Sequence, residues 1–145
     1  MTPAKLAALH KICFTSPRPW SVTEFSDMLG SRGVFLLTAP DGFLLGRLIA
    51  DEAELLTVAV HPDRRGHGIG RKLIEGFLDT ALDEGAADAF LEVASDNAIA
   101  INLYKSAGFT EINRRTGYYM QPDGTSVDAV LMTRSVSASG PADAR

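Results

Sequence analysis

Three glycines, Gly66, Gly68 and Gly70, alternate within the stretch HPDRRGHGIGRKLIEGFL at residues 61–78. Arg64 and Arg65 precede them, and Arg71 and Lys72 follow. Bare backbone beside positive charge at a helix start suits a phosphate group. The first amides of a helix lack internal partners and carry the positive end of its dipole, and glycines let an anion come close to them. The same residues also suit a glycine-bearing turn with a solvated basic flank. Two familiar phosphate loops are excluded. A P-loop needs lysine and a hydroxyl residue straight after its last glycine, whereas Gly70 is followed by Arg71, Lys72 and Leu73. A dinucleotide fingerprint counted from Gly66 ends on Arg71, and counted from Gly68 it ends on Leu73. What remains is a strand, a short turn and a glycine-rich helix start able to hold a diphosphate.

Further along, AFLEVA sets Glu92 among apolar neighbours. Strand alternation puts Phe90, Glu92 and Ala94 on one face and Leu91 and Val93 on the other. A carboxylate there is either desolvated for proton transfer or rescued by a charged partner. Tyr104 lies beside an apolar helix face defined by Ala100, Leu103 and Ala107; it can pack there or donate a proton, since a phenol stays protonated at neutral pH. Asn97 can cap that helix or present its amide to a ligand. Adjacent Tyr118 and Tyr119 point to opposite faces if their strand is regular, one toward a cleft and one into packing. His61 and His67 flank the glycine loop and are expected at the surface. Asp51 to Glu54, DEAE, suits a solvated turn that could also attract a basic peptide.

The elements that must position these groups follow from caps, periodicity and breakers. Thr2 and Pro3 open a helix with Leu6, Leu9 and Ile12 on its inner face, and TSPRP ends it. Ser21 and Glu24 form a capping box for a second helix closed by Gly30, with Trp20 and Phe25 as its hydrophobic staple. GVFLLTA and FLLGRLIA read as a hairpin turned by Pro40, Asp41 and Gly42, and ELLTVAV is a third strand. The glycine stretch then opens a helix whose Ile69, Leu73, Ile74, Phe77, Leu78, Ala81 and Leu82 share one face, closed by Gly85. DAFLEVA is a strand, Ser95 or Asp96 caps the helix that Gly108 ends, and QPDG turns a last hairpin. The order α, α, β, β, β, α, β, α, β, β predicts an α/β fold, a mixed (α+β) sheet flanked by helices.

With 145 residues, the chain suits one domain, residues 1–135, followed by a small, polar tail at 136–145 expected to lack structure. Net charge is -4, so no nucleic-acid partner is expected and any cationic site must be local. A single cysteine, Cys13, excludes an internal disulfide and multi-cysteine zinc sites, and no metal is expected. Without a transmembrane run or a signal-peptide pattern, the expectation is a cytoplasmic protein with no membrane partner.

Taken together, LLTVAVHPDRRGHGIGRKLI resembles the coenzyme-binding segment of the GNAT acetyltransferase superfamily, R/Q-x-x-G-x-G/A after a bulged strand, with Arg65, Gly68 and Gly70 in those places. FLEVASDNAIAINLYKSAGF resembles the segment that follows it in N-terminal acetyltransferases, and RRTGYY and VDAVLM match the branch that acetylates ribosomal-protein alanines. The resemblance runs from about Trp20 to Met132. It implies acetyl-CoA as cosubstrate and a protein N-terminus, such as that of a ribosomal protein, as acceptor. Backbone at Val58, Ala59 and Val60 would bond the acetyl-pantetheine arm. The amides of Arg65, Gly66, His67, Gly68, Ile69, Gly70 and Arg71 would take the pyrophosphate, with Asn97 also touching the coenzyme. Glu92 aligns with the proton acceptor and Tyr104 with the proton donor, while Tyr118 and Tyr119 lie by the incoming peptide. A small amine or lysine acceptor, or a binder without turnover, are the alternatives. Two departures stand out: the family's usual strand before the first helix is missing, and Ala94 replaces an arginine common after L-E-V.

Overall fold

The computed structural model describes residues 1–14 and 18–136. Helices α1 (Pro3–Cys13) and α2 (Val22–Leu29) come first. Strands β1 (Val34–Ala39), β2 (Gly42–Ile49) and β3 (Glu52–Val60) lead through a short 3-10 turn, Pro62–Arg64, into α3 (Ile69–Asp83). Then follow β4 (Asp88–Ala94), α4 (Ala98–Ser106), β5 (Thr110–Met120) and β6 (Ser126–Ser135). The strands form one six-stranded mixed sheet in the order β1-β2-β3-β4-β6-β5, with β3 and β4 as its parallel pair. Among the described residues no helix is long and apolar enough to cross a membrane.

The caps form as their residue types dictate. Thr2 accepts from the Lys5 amide, and Ser21 and Glu24 close a reciprocal capping box, with the Trp20 and Phe25 rings 5.1 Å apart as the staple. Each face of the sheet carries its own core. Leu6, Leu9 and Phe25 from α1 and α2 pack on Phe43, Leu45 and Ala59. Leu73, Ile74, Phe77 and Ala81 of α3 pack on Leu44, Leu55, Leu91 and Val93.

Several local expectations change. Ile12 and Leu82 are exposed, because a 3.6-residue period continues the α1 face through His10 and Cys13, not Ile12, and carries Leu82 past the rim of α3. Pro40 and Asp41 alone make the first hairpin turn, and Gly42 belongs to β2, paired with both Ala39 and Val60. Of the cap candidates for α4, Asn97 takes the place, as one of its two readings had it, and Ser95 and Asp96 do not; its side-chain oxygen accepts from the Ala100 amide. Val136 is buried and its amide donates to Ala87, so the core extends one residue past the expected boundary; residues 137–145 of the expected tail lie outside the described residues, as does most of the TSPRP break.

Candidate active site

Two irregularities in the sheet create the site. Between β2 and β3 the register shifts, Leu45 facing Thr57 and Gly46 facing Leu55, so Leu56 is an extra residue and β3 is bulged there. On the other side, β3 and β4 pair only at Glu52, Ala53 and Glu54 with Asp88, Ala89 and Phe90. Beyond Glu54 the two strands part, and a cleft of about 950 Å³ opens between Leu55–Val60 and Glu92–Ala94. Beyond Glu54 the backbone of β3 thereby loses β4 as a partner, and Val58, Ala59 and Val60 line the opening, the Val60 carbonyl accepting instead from Arg65 Nε and Cys13 Sγ.

The glycine loop forms one end of this cleft. Gly66 and Gly68 adopt left-handed backbone (φ 84° and 79°), and a Cβ at either would meet nothing of the protein within 4 Å. Gly68 is the N-cap of α3 and supplies no side-chain cap; the first amide bonded back into the helix is that of Lys72, to Gly68. The amides ahead of Lys72 therefore face outward as a set of donors. Gly70 is under a further constraint: a Cβ there would lie 3.1 Å from Leu103 Cδ2, so the missing side chain also makes room for α4. Arg65 Nε donates to the Val60 carbonyl, Arg71 reaches Ser106 and Glu75, and Arg64 lies 3.7 Å from Asp41. His67 is exposed, and His61 accepts from the Asp63 amide as the cap of the short 3-10 turn.

Glu92 lines the other side. Its partner is Arg115 of β5, whose Nε sits 3.1 Å from Oε2, while the carboxylate keeps a 27% exposed side chain. The same guanidinium lies 4.9 Å from the centre of the Tyr118 ring. Tyr118 and Tyr119 do not point to opposite faces. Between Arg115 and Tyr119 the β5–β6 register slips by extra residues, with Gly117 left-handed (φ 62°) and its amide held by Asp128. Both rings consequently line the cleft and meet edge to face at 5.2 Å. Burial, with Glu92 nearby, pushes the Tyr119 phenol up to about 12. Tyr104 is buried against Phe109 and lines the cleft as well; burial drives its pKa upward, so the phenol is a proton carrier at neutral pH. Asn97 lines the cleft while its side-chain oxygen caps α4.

Four residues beside the cleft were not singled out individually from sequence. His10 of α1 and Thr57 of β3 are buried polar residues bonded to each other at 2.9 Å beside the cleft. Glu54 lines it too, held at 2.6 Å by Arg47; it belongs to β3 and not to a solvated turn, which is confined to Ala50 and Asp51. Arg115 was visible only as one residue of RRTGYY. For His10 the available signal was its place four residues after Leu6, on the inner face of α1. Glu54 lies two residues before Leu56, and nothing in its own flanks reveals that β3 loses its β4 partner at that level.

A family model described as the acetyltransferase (GNAT) family matches residues 7–109. The ribosomal protein bS18-alanine N-acetyltransferase of Escherichia coli strain K12 is 37% identical over 123 residues, 82% of each chain. The crystal structure of the Escherichia coli enzyme of that kind superposes with a TM-score of 0.79 at 33% identity, covering 97% of this chain and 94% of that one. Arabidopsis thaliana NAA60 in complex with acetyl-CoA shares the fold, with a TM-score of 0.77 at 19% identity over 92% of both chains.

Proposed function

Because this chain belongs to the acetyltransferase (GNAT) family, we propose that it transfers acetyl from acetyl-CoA to the N-terminal α-amine of a protein, of the ribosomal-protein-alanine type. The observation that carries this reading is the parting of β3 from β4, which lets an anion-ready helix start, a carboxylate and phenols border one cleft. The amides around Gly66 to Arg71 hold the diphosphate, the exposed backbone of Val58 to Val60 holds the amide-rich arm, and Asn97 steadies the coenzyme from α4.

Glu92 is the general base. Arg115 fixes its Oε2, leaving Oε1 to take the proton from the acceptor's ammonium. The freed amine lone pair attacks the thioester carbonyl carbon, the carbon–sulfur bond breaks, and Tyr104 gives its proton to the departing thiolate. An α-amine has a reference pKa of ~8 and a lysine of ~10.4, so deprotonation at pH 7 costs roughly 1 and 4.6 kcal/mol respectively. A single, partly exposed carboxylate meets the first demand more readily than the second, which favours N-termini. Tyr118 and Tyr119 frame the acceptor, and the 37% identical relative is named for alanine N-termini.

The test is thiol release from acetyl-CoA with peptides beginning in alanine, serine, glycine or methionine, and with an N-blocked peptide carrying an internal lysine. Release only from free N-termini, strongest for alanine, is expected. Glu92→Gln should lower turnover by about a hundredfold or more while leaving acetyl-CoA affinity unchanged in calorimetry. Release from the lysine peptide alone, or none with any amine, overturns the assignment.

A further inference from the structure

The bulge in β3 has a second effect, on the face of the sheet covered by α1 and α2. Leu56 packs into the core on that face, and the next residue, Thr57, is turned to the same side, where its hydroxyl meets His10 of α1 at 2.9 Å. Both are almost wholly buried, Thr57 at 6% and His10 at 1% exposure. The sense of this contact is fixed by a third group. The Trp20 amide donates to His10 Nδ1 at 3.0 Å, so Nδ1 is the acceptor nitrogen and the neutral ring carries its hydrogen on Nε2. Nε2–H therefore donates to Thr57 Oγ1. Burial holds His10 down to about 4, so the ring stays neutral and keeps this tautomer through the physiological range. The stacked Phe14 ring, 4.1 Å away, and the edge-on Phe25 keep it from turning.

A hydroxyl that accepts in one fixed direction still has its own hydrogen to give. Among the described residues nothing accepts it. Thr57 stands on the part of β3 that has no β4 partner. Thr57 and Glu92 line the cleft from its two sides, on the strands that part beyond Glu54 and Phe90. His10, Thr57, Glu92 and Tyr119 line one cleft.

We propose that Thr57 is an acceptor-binding residue whose hydroxyl donates to the backbone carbonyl of the acceptor's first residue, with His10 as the positioning residue that sets its direction. This rests on the N-terminal acetyltransferase reading above and refines it. The coenzyme is held from the α3 end, so the opposite face, where Thr57 points, receives the amine. A peptide N-terminus carries a carbonyl two bonds from its nitrogen; an alkylamine does not. A site with a buried donor built for that carbonyl rejects amines lacking it, because the donor is then left unpaired.

The experiment compares two acceptors at saturating acetyl-CoA: an alanine-initiated peptide, and the same peptide with its first carbonyl reduced to methylene. The wild type is expected to prefer the intact peptide about tenfold in kcat/KM. Thr57→Val, which keeps the shape but removes the hydroxyl, should abolish that preference by lowering kcat/KM for the intact peptide alone. Thr57→Ser should restore it, and KM for acetyl-CoA should not move in any variant. His10→Phe should erode the preference in the same direction; if that variant fails to fold, the Val and Ser pair decides. A preference that persists in Thr57→Val, an equal loss on both acceptors, or a rise in KM for acetyl-CoA overturns the proposal. In that case, loss of turnover in Glu92→Gln still leaves the acetyltransferase reading standing. A wild type that acetylates no peptide N-terminus removes both.

Discussion

At the scale of single residues, polar groups in this chain are set by partners that sequence spacing does not reveal. Glu92 stood out between apolar Leu91 and Val93, and Tyr104 beside the apolar face of Ala100, Leu103 and Ala107. Arg115, Thr57 and His10 act across the sheet, from positions 23, 35 and 82 residues away from Glu92 in the chain, and only the tertiary fold brings them to one cleft. His10 also makes a prediction about stability. In the unfolded chain its imidazole has the ordinary value of 6.5, and in the fold it is held to about 4, chiefly by burial and against the opposing pull of Glu24. Between those values the unfolded chain binds a proton that the folded chain does not, so stability rises with pH through that window. The contribution is fully present above about pH 6.5 and is lost as pH falls toward 4, amounting to about 3 kcal/mol if the shift is carried wholly by this ring. Urea unfolding at pH 4.5 and pH 7 should show a lower midpoint at the acid end. His10→Gln, which cannot charge, should narrow that gap; an unchanged gap would mean other groups carry the acid sensitivity.

At the scale of elements, two of the three glycines in GHGIG, Gly68 and Gly70, meet different surroundings, and substitutions separate them. Gly68 caps α3 with left-handed backbone and faces open space. Gly68→Ala should cost about 1 kcal/mol of stability from the backbone alone and weaken acetyl-CoA binding. Gly70 lies within the helix, so Gly70→Ala gains helix propensity but pushes Leu103 of α4. Calorimetric acetyl-CoA titrations of the two variants should show the larger loss for Gly68→Ala, and the reverse order would place the diphosphate elsewhere. Helix starts, hairpins and strand spans were legible because capping boxes, breakers and alternation are local signals. DAFLEVA matches β4 residue for residue. What stayed hidden was the irregularity: the extra Leu56 in β3 and the slip near Gly117 in β5 depend on what the neighbouring strand does. Those bulges decide which way Thr57, Tyr118 and Tyr119 point, so strict alternation misplaced one of the tyrosines.

At the scale of the whole molecule, an acidic chain presents a local cationic mouth. Net charge is -4, yet Arg64, Arg65 and Arg71 all border the cleft where α3 begins, with Lys72 exposed on the next turn. Each of the three arginines is tethered, to Asp41, the Val60 carbonyl and Ser106 or Glu75, so the cations are pre-positioned around the outward-facing amides. On the proposed reading, the diphosphate is held by two means that salt affects differently. Backbone donors at contact distance are weakly screened, whereas half-exposed guanidinium groups act through solvent and lose reach as the Debye length shrinks from ~10 Å at 0.1 M to ~3 Å at 1 M salt. Acetyl-CoA affinity should therefore fall several-fold over that range without vanishing, and turnover at saturating coenzyme should change little, because salt acts on the binding of the diphosphate and not on the proposed proton transfers. Acetyl-pantetheine, which lacks the diphosphate, should bind weakly and show almost no salt dependence. Equal salt sensitivity for both ligands, followed by equilibrium titration, would show that the loop from Gly66 to Arg71 does not hold the diphosphate.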